Sequence, residues 1–150
     1  MKWKSFGTKQ EIDLVSYIKQ YLKDNPTAEL MVGTDSQNRR KQTDYAIVVA
    51  LHTNRGANLL YVKETFPRIM DRFTRLLKEV EFTIGIATEL KESGINQKLI
   101  RLHFDLNPDP KFKSNDVVRT AMGWGEGLGY SCQCKPSAFS ASYAADMLLK

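Results

Sequence analysis

Near Pro67 the chain changes period, and that change severely limits its architecture. Before it come three apolar, β-branched runs, Glu29–Asp35, Tyr45–His52 and Leu59–Thr65. They read as an antiparallel meander, and Asn54-Arg55-Gly56 supplies a tight hairpin between the second and third. The polar stretch Ser36–Asp44 between the first two reads as a turn or loop. After Pro67 the period becomes helical. Ile69, Phe73, Leu76, Leu77, Val80, Ile84 and Ala87 form one apolar stripe across Arg68–Glu92, and Ser93-Gly94 stops it. A fourth strand, Leu99–Asp105, follows. A strand, a long helix and another strand form a crossover of ordinary length if the two strands are parallel neighbours.

The flanking segments complete the pattern. Thr8-Lys9-Gln10-Glu11 fits a capping box, with Thr8 as N-cap, ahead of Ile12, Val15, Ile18 and Leu22 at helical spacing. Lys23-Asp24-Asn25-Pro26 ends that helix. Ser114 or Asn115 caps another helix through Val117, Val118, Ala121 and Met122. The glycine-rich run Gly123–Gly129 weakens and then ends it. No strand precedes that run and no helix follows it, so it is not a phosphate-binding loop. Tyr130–Cys134 is a fifth strand closed by Lys135-Pro136, and Ser140–Leu149 is a terminal helix. The expectation is an α/β chain with a five-stranded mixed sheet. Strands one to three are antiparallel, strands four and five are parallel, and helices pack on the sheet. Residues 1–150 are expected to form one domain, with 1–26 as an N-terminal helical extension.

Composition narrows the functional classes. Hydrophobic residues make 42% and charged residues 26%, an ordinary soluble balance with no bilayer-length apolar run. The basic start Met1-Lys2-Trp3-Lys4 is followed by no signal-peptide core, so a cytoplasmic location and no membrane partner are expected. A net charge of +5 is compatible with a polyanionic partner. The two cysteines, Cys132 and Cys134, would share one strand face. They read as packing thiols, because no second pair exists to complete a metal site.

Four acids stand out by position. Asp35 and Asp105 close strands one and four, and ligands of open α/β sheets bind at the carboxyl ends of strands. Side by side, two carboxylates repel, and a hard divalent cation relieves the repulsion. Glu79 on the long helix and Asp146 on the terminal helix can add further oxygens. Each acid alone also has a plainer reading, as turn chemistry for the aspartates of the strands and as solvated helix positions for the others. Glu81 competes with Glu79. Residues two apart on a helix are about 200° apart, so only one of the two can face the site. His103 shares the strand face of Asp105 and reads either as a sheet histidine or as a member of the site.

These residues carry a resemblance. Val32-Gly33-Thr34-Asp35-Ser36, Arg75–Glu79 with the helix beyond it, Leu102–Asp105 and Ala144-Ala145-Asp146 are similar to the acidic motifs of the ribonuclease H superfamily. Val32–Gln37, His103–Asn107 and Lys135–Asp146, with the helix before the first strand, resemble its YkuK-like family more closely. The resemblance implies a ribonuclease H-like fold and a nuclease using two metal ions, Mg²⁺ or Mn²⁺, to hydrolyse phosphodiester bonds in RNA or RNA–DNA hybrid. Asp35, Glu79, Asp105 and Asp146 would be both catalytic and metal-binding. Ser36, Gln37, Arg39, Arg40, Lys41 and Lys135 would contact the nucleic-acid partner, which is RNA, RNA–DNA hybrid or structured DNA, although a solvated loop is an equal reading of Arg39–Lys41. Ribonucleases H of the familiar kind often carry a histidine before the last helix. This chain has none there, and Lys135 is the nearest ionisable residue. A non-catalytic nucleic-acid-binding module on the same fold is the alternative. Retention of all four acids favours the enzyme, since their repulsion is costly without a metal.

Overall fold

A computed structural model describes residues 1–107, 109, 111, 114–134 and 149. Its centre is the expected meander. β3 (Glu29–Asn38), β4 (Gln42–Thr53) and β5 (Gly56–Pro67) pair antiparallel. α2 (Arg72–Glu92) then crosses over to β6 (Ile100–Phe104), which lies parallel to β3, and α3 (Asn115–Gly127) leads to β7 (Ser131–Cys134), parallel to β6.

Among the described residues the sheet has seven strands, not five: with β1 (Trp3–Ser5) and β2 (Glu11–Ile12) the order is β2-β1-β5-β4-β3-β6-β7. The two extra strands are β1 and β2, added antiparallel at the β5 edge. Residues 1–26 are therefore not simply a helical extension. Strands of three and two residues are too short to show a period. Their signature is burial of Trp3 and Ser5 on alternate positions. The capping box at Thr8 does not form. Thr8 Oγ1 accepts from Gln10 N in the β1–β2 turn, where Lys9 adopts a left-handed φ of 63°. The helix starts five residues later as α1 (Leu14–Asp24), capped by Asp13, whose carboxylate accepts from Ser16 N at 3.0 Å.

Two boundaries also move. Ser36–Asp44 is not a loop, because β3 and β4 stay paired out to Asn38 and Thr43 and leave only a tight turn. Polar residues persist in these strand ends because their side chains find partners on the neighbouring segment, as described below. α2 begins at Arg72 rather than Arg68, since Asp71 caps it by accepting from Thr74 N at 2.9 Å. Ile69 therefore lies outside the helix, and Phe73 in its first turn stays exposed. α3 runs on through the glycines to Gly127. Gly125 lets it approach the sheet so closely that a Cβ there would collide with Cys132 Sγ and press on Leu102.

The core is split by the sheet. On the face covered by the three helices, Leu30, Val32, Ile47, Val49, Leu60 and Leu102 pack against Ile18, Val80, Ile84, Ala87, Val117 and Ala121. On the opposite face Met31, Ala46, Val48 and Ala50 pack with Leu149. The rest of the expected terminal helix, with Asp146 and Lys135, lies outside the described residues. No described helix is long and apolar enough to cross a membrane.

Candidate active site

Alternation along β3 sends Leu30, Val32, Thr34, Ser36 and Asn38 to one face and Asp35 to the other. The polar members of the first set join β3 to the α2 side of the fold in three successive rungs. Thr34 and Thr83 share a hydroxyl–hydroxyl bond of 2.9 Å. The Ser36 hydroxyl donates to Glu79 Oε2. Asn38 Nδ2 donates to Ile69 O at 3.1 Å, in the connection ahead of α2. The first two rungs match in pitch. Two strand residues advance about 6.6 Å, and four helical residues, Thr83 to Glu79, advance about 6 Å.

Glu79 is 4% exposed. Its carboxyl is held well above the usual carboxylate range, first by burial and next by the negative charge of Asp35, with Asp105 adding to the push. The Ser36 hydroxyl and the Arg75 guanidinium oppose the shift without cancelling it. Arg75 lies one helical turn before Glu79 and donates to Ser36 Oγ at 2.9 Å. The backbone carbonyl of Arg75 accepts from the buried Tyr45 hydroxyl at 3.0 Å. The chain of donors from Arg75 through Ser36 to Glu79 thus fixes the carboxylate from one side. Glu81, the competing position, is exposed.

Asp35 and Asp105 are both half-buried. The last parallel pair of β3 and β6 is Thr34 with Phe104, so each aspartate follows one residue beyond it: Asp105 lies just past the end of β6, whereas Asp35 does not close its strand as expected, because β3 stays paired with β4 out to Asn38. Asp35 also accepts from Ser36 N at 2.9 Å. Thr34, Glu79, Thr83, Phe104 and Asp105 line a crevice too tight for a free water molecule. Among the described residues, no three histidine, cysteine or acidic side chains lie close enough to enclose a metal ion. The donor chemistry nevertheless fits a hard cation. A desolvated carboxyl group pressed by two acids resists ionisation until a cation neutralises it, and oxygen ligands of this kind suit Mg²⁺ or Mn²⁺.

The remaining positions separate. His103 is 2% exposed, and burial pushes its pKa down to about 4, with the Arg101 and His52 charges adding to the shift. It is neutral at neutral pH. Neither of its nitrogens has a hydrogen-bond partner among the described residues. Cys132 and Cys134 are free and half-buried, and burial raises both thiols, Cys132 to about 11, so both are packing groups. Ser36 is buried and commits its hydroxyl to Glu79, while Gln37 is exposed. Arg39 pairs with Asp44 at 2.5 Å and donates to Leu149 O. Arg40 and Lys41 are exposed in the β3–β4 turn. Reasoning from sequence missed the Ser36–Glu79 and Thr34–Thr83 rungs and the part played by Arg75. The four-residue spacing of Arg75 and Glu79 was the available signal.

Two solved structures resemble the chain. Ribonuclease H1 from the halophilic archaeon Halobacterium salinarum shares 15% identity with a TM-score of 0.45, over 78% of this chain and 93% of that one. LC11-RNase H1, solved in complex with an RNA/DNA hybrid, shares 12% with a TM-score of 0.40, over 81% of this chain and 100% of that one. A comparison with curated proteins finds no match. The sequence profile of the Ribonuclease H-like family matches residues 13–150. The chain belongs to the ribonuclease H-like family, in keeping with the motifs that resemble its YkuK-like group.

Proposed function

We propose that this protein is a divalent-metal-dependent nuclease that hydrolyses phosphodiester bonds of RNA or RNA–DNA hybrid. The observation that carries the reading is Glu79, a carboxyl group buried against the negative charge of Asp35, inside β3, and of Asp105, just past the end of β6. Such an arrangement costs stability in the metal-free protein and gives a cation a reason to bind. Asp35, Glu79 and Asp105 would hold the ions, with Asp146 as a fourth ligand. The chemistry such ions supply when bound is activation of water as a nucleophile and stabilisation of the leaving oxygen.

The chain's own residues have supporting tasks. Ser36, donating to Oε2 and receiving from Arg75, keeps the Glu79 carboxylate in one orientation. The tight crevice around Glu79 excludes bulk water, which strengthens every charge interaction within it. Family membership supports a nucleic-acid substrate, and the net charge of +5 is compatible with a polyanion.

The test is degradation of labelled RNA, RNA–DNA hybrid and DNA with Mg²⁺ or Mn²⁺. Cleavage should require metal and fall to background in Asp35→Asn and Glu79→Gln. Absence of metal-dependent cleavage by the folded parent on all three substrates, or cleavage that survives both substitutions, refutes the proposal.

A further inference from the structure

The β3–β4 turn and the connection from β5 to α2 are stitched into one surface. Arg68 donates from its backbone to Lys41 O at 3.3 Å and from its guanidinium to Arg39 O. Ile69 N donates to Thr43 Oγ1 at 2.8 Å, and Asn38 holds Ile69 O from the other side. The Arg68 guanidinium also lies against the sulfur of Met70 at 3.3 Å, and Met70 is 77% exposed. Two separate loops therefore present their cations from a shared hydrogen-bonded base.

Among the described residues the charge of this surface is uncompensated. Its nearby acids are committed elsewhere. Asp44 pairs with Arg39, and Asp71 caps α2 through Thr74. Arg40, Lys41 and Arg68 are exposed, and no described carboxylate pairs with any of them. Like charges gathered without counter-ions repel, and a polyanion relieves them while releasing its own bound counter-ions.

We propose that Arg40, Lys41 and Arg68 form a sequence-independent phosphate-binding surface that holds a nucleic-acid strand to one side of the Glu79 carboxylate. The partner rests on the nuclease reading above. Ser36, beside Glu79, is three to four residues along the chain from Arg39 and Arg40 in the β3–β4 turn, a span of at most about 10–13 Å. At about 3.4 Å of rise per nucleotide, the surface meets phosphates three to four nucleotides from the carboxylates. Base identity is not read there, because side chains of this kind contact phosphate rather than base edges.

The experiment is fluorescence anisotropy of a short labelled RNA–DNA hybrid with the full chain in EDTA, across a salt series. Cleavage with Mn²⁺ is scored separately. Each lost phosphate contact lowers the slope of log affinity against log salt by about 0.9, so Arg40→Ala/Lys41→Ala/Arg68→Ala should lower it by about 2.7. Arg68→Lys, which keeps the charge, should keep the parent slope. Lys98→Ala, an exposed cation at the far end of β6, should leave the slope unchanged. An unchanged slope in the triple variant, an equal loss in Lys98→Ala, or a parent that binds no hybrid overturns the surface. A parent that binds with the expected slopes yet cleaves nothing overturns the nuclease reading and leaves the surface standing.

Discussion

The Thr34–Thr83 rung can be tested by removing its hydroxyls one at a time and together, using valine as the near-isosteric replacement. Both residues are 1% exposed, and their hydroxyls meet at 2.9 Å across the β3–α2 interface. Thr34→Val leaves Thr83 without its partner. A helical threonine can turn back to the carbonyl four residues earlier, so this variant should lose about 1 kcal/mol or less. Thr83→Val strands the Thr34 hydroxyl on a strand, where no such local acceptor is in reach. That variant should lose the larger share of the usual penalty, about 2–3 kcal/mol. The double variant buries two methyl groups in contact and should return to within about 1 kcal/mol of the parent. For a chain of this size each kcal/mol moves Tm by roughly 2–4 °C. Urea and thermal melts of the four proteins close the cycle. A double variant as destabilised as the sum of the singles refutes the pairing, because additivity means the two sites do not share an interaction.

What was legible in the sequence follows physical lines. The meander, the long crossover helix and both parallel strands were readable because each is long enough to show its period or is bounded by turn chemistry. β1 and β2 were not, because three and two residues carry no period and their pairing is decided by the open edge of β5. The capping box at Thr8 lost to Asp13 because local propensity is a weak prior once a neighbouring edge offers backbone partners. Ser36–Asp44 looked like a loop because it is polar, yet Ser36, Asn38 and Thr43 are polar for contacts across to α2 and to the segment before it. At the site, helical register said only that one of Glu79 and Glu81 could serve, the family resemblance chose Glu79 by its spacing to Leu90, and burial separates the two. That Asp35 and Asp105 would each follow a paired position on parallel neighbours was readable from the strand–helix–strand crossover, although β3 runs on past Asp35 to Asn38. The donors that hold Glu79 were not. A serine beside an aspartate looks the same in sequence whether its hydroxyl faces water or a buried carboxylate 43 residues away.

Two helix glycines should respond oppositely to the same change. Gly85 faces open space in α2, so Gly85→Ala should stabilise by about 0.5–1 kcal/mol in melts. Gly125→Ala gains the same propensity but drives its methyl into Cys132 Sγ, an overpacking cost of about 1–3 kcal/mol, so its Tm should fall. Adding Cys132→Ala should recover Tm, and no recovery refutes the close approach. The last prediction concerns Glu79 and pH in metal-free buffer. Its folded pKa lies above its ordinary value near 4.5. Below the unfolded pKa both states are protonated and the group contributes nothing adverse. As pH rises past it, the unfolded chain releases the proton while the folded chain keeps it. The unfolded state then binds fewer protons, and stability falls with rising pH until the folded pKa is passed. Glu79→Gln removes this term, keeps an acceptor for Ser36, and should gain on the parent between pH 5 and pH 8 in urea melts with EDTA. Saturating Mn²⁺ reverses the order. At a hundredfold excess over Kd the parent gains about 2.7 kcal/mol, and the variant, lacking one anionic ligand, gains less. A variant that loses ground from pH 5 to pH 8, or that gains as much from Mn²⁺ as the parent, would show that Glu79 is a structural carboxylate whose charge no cation uses.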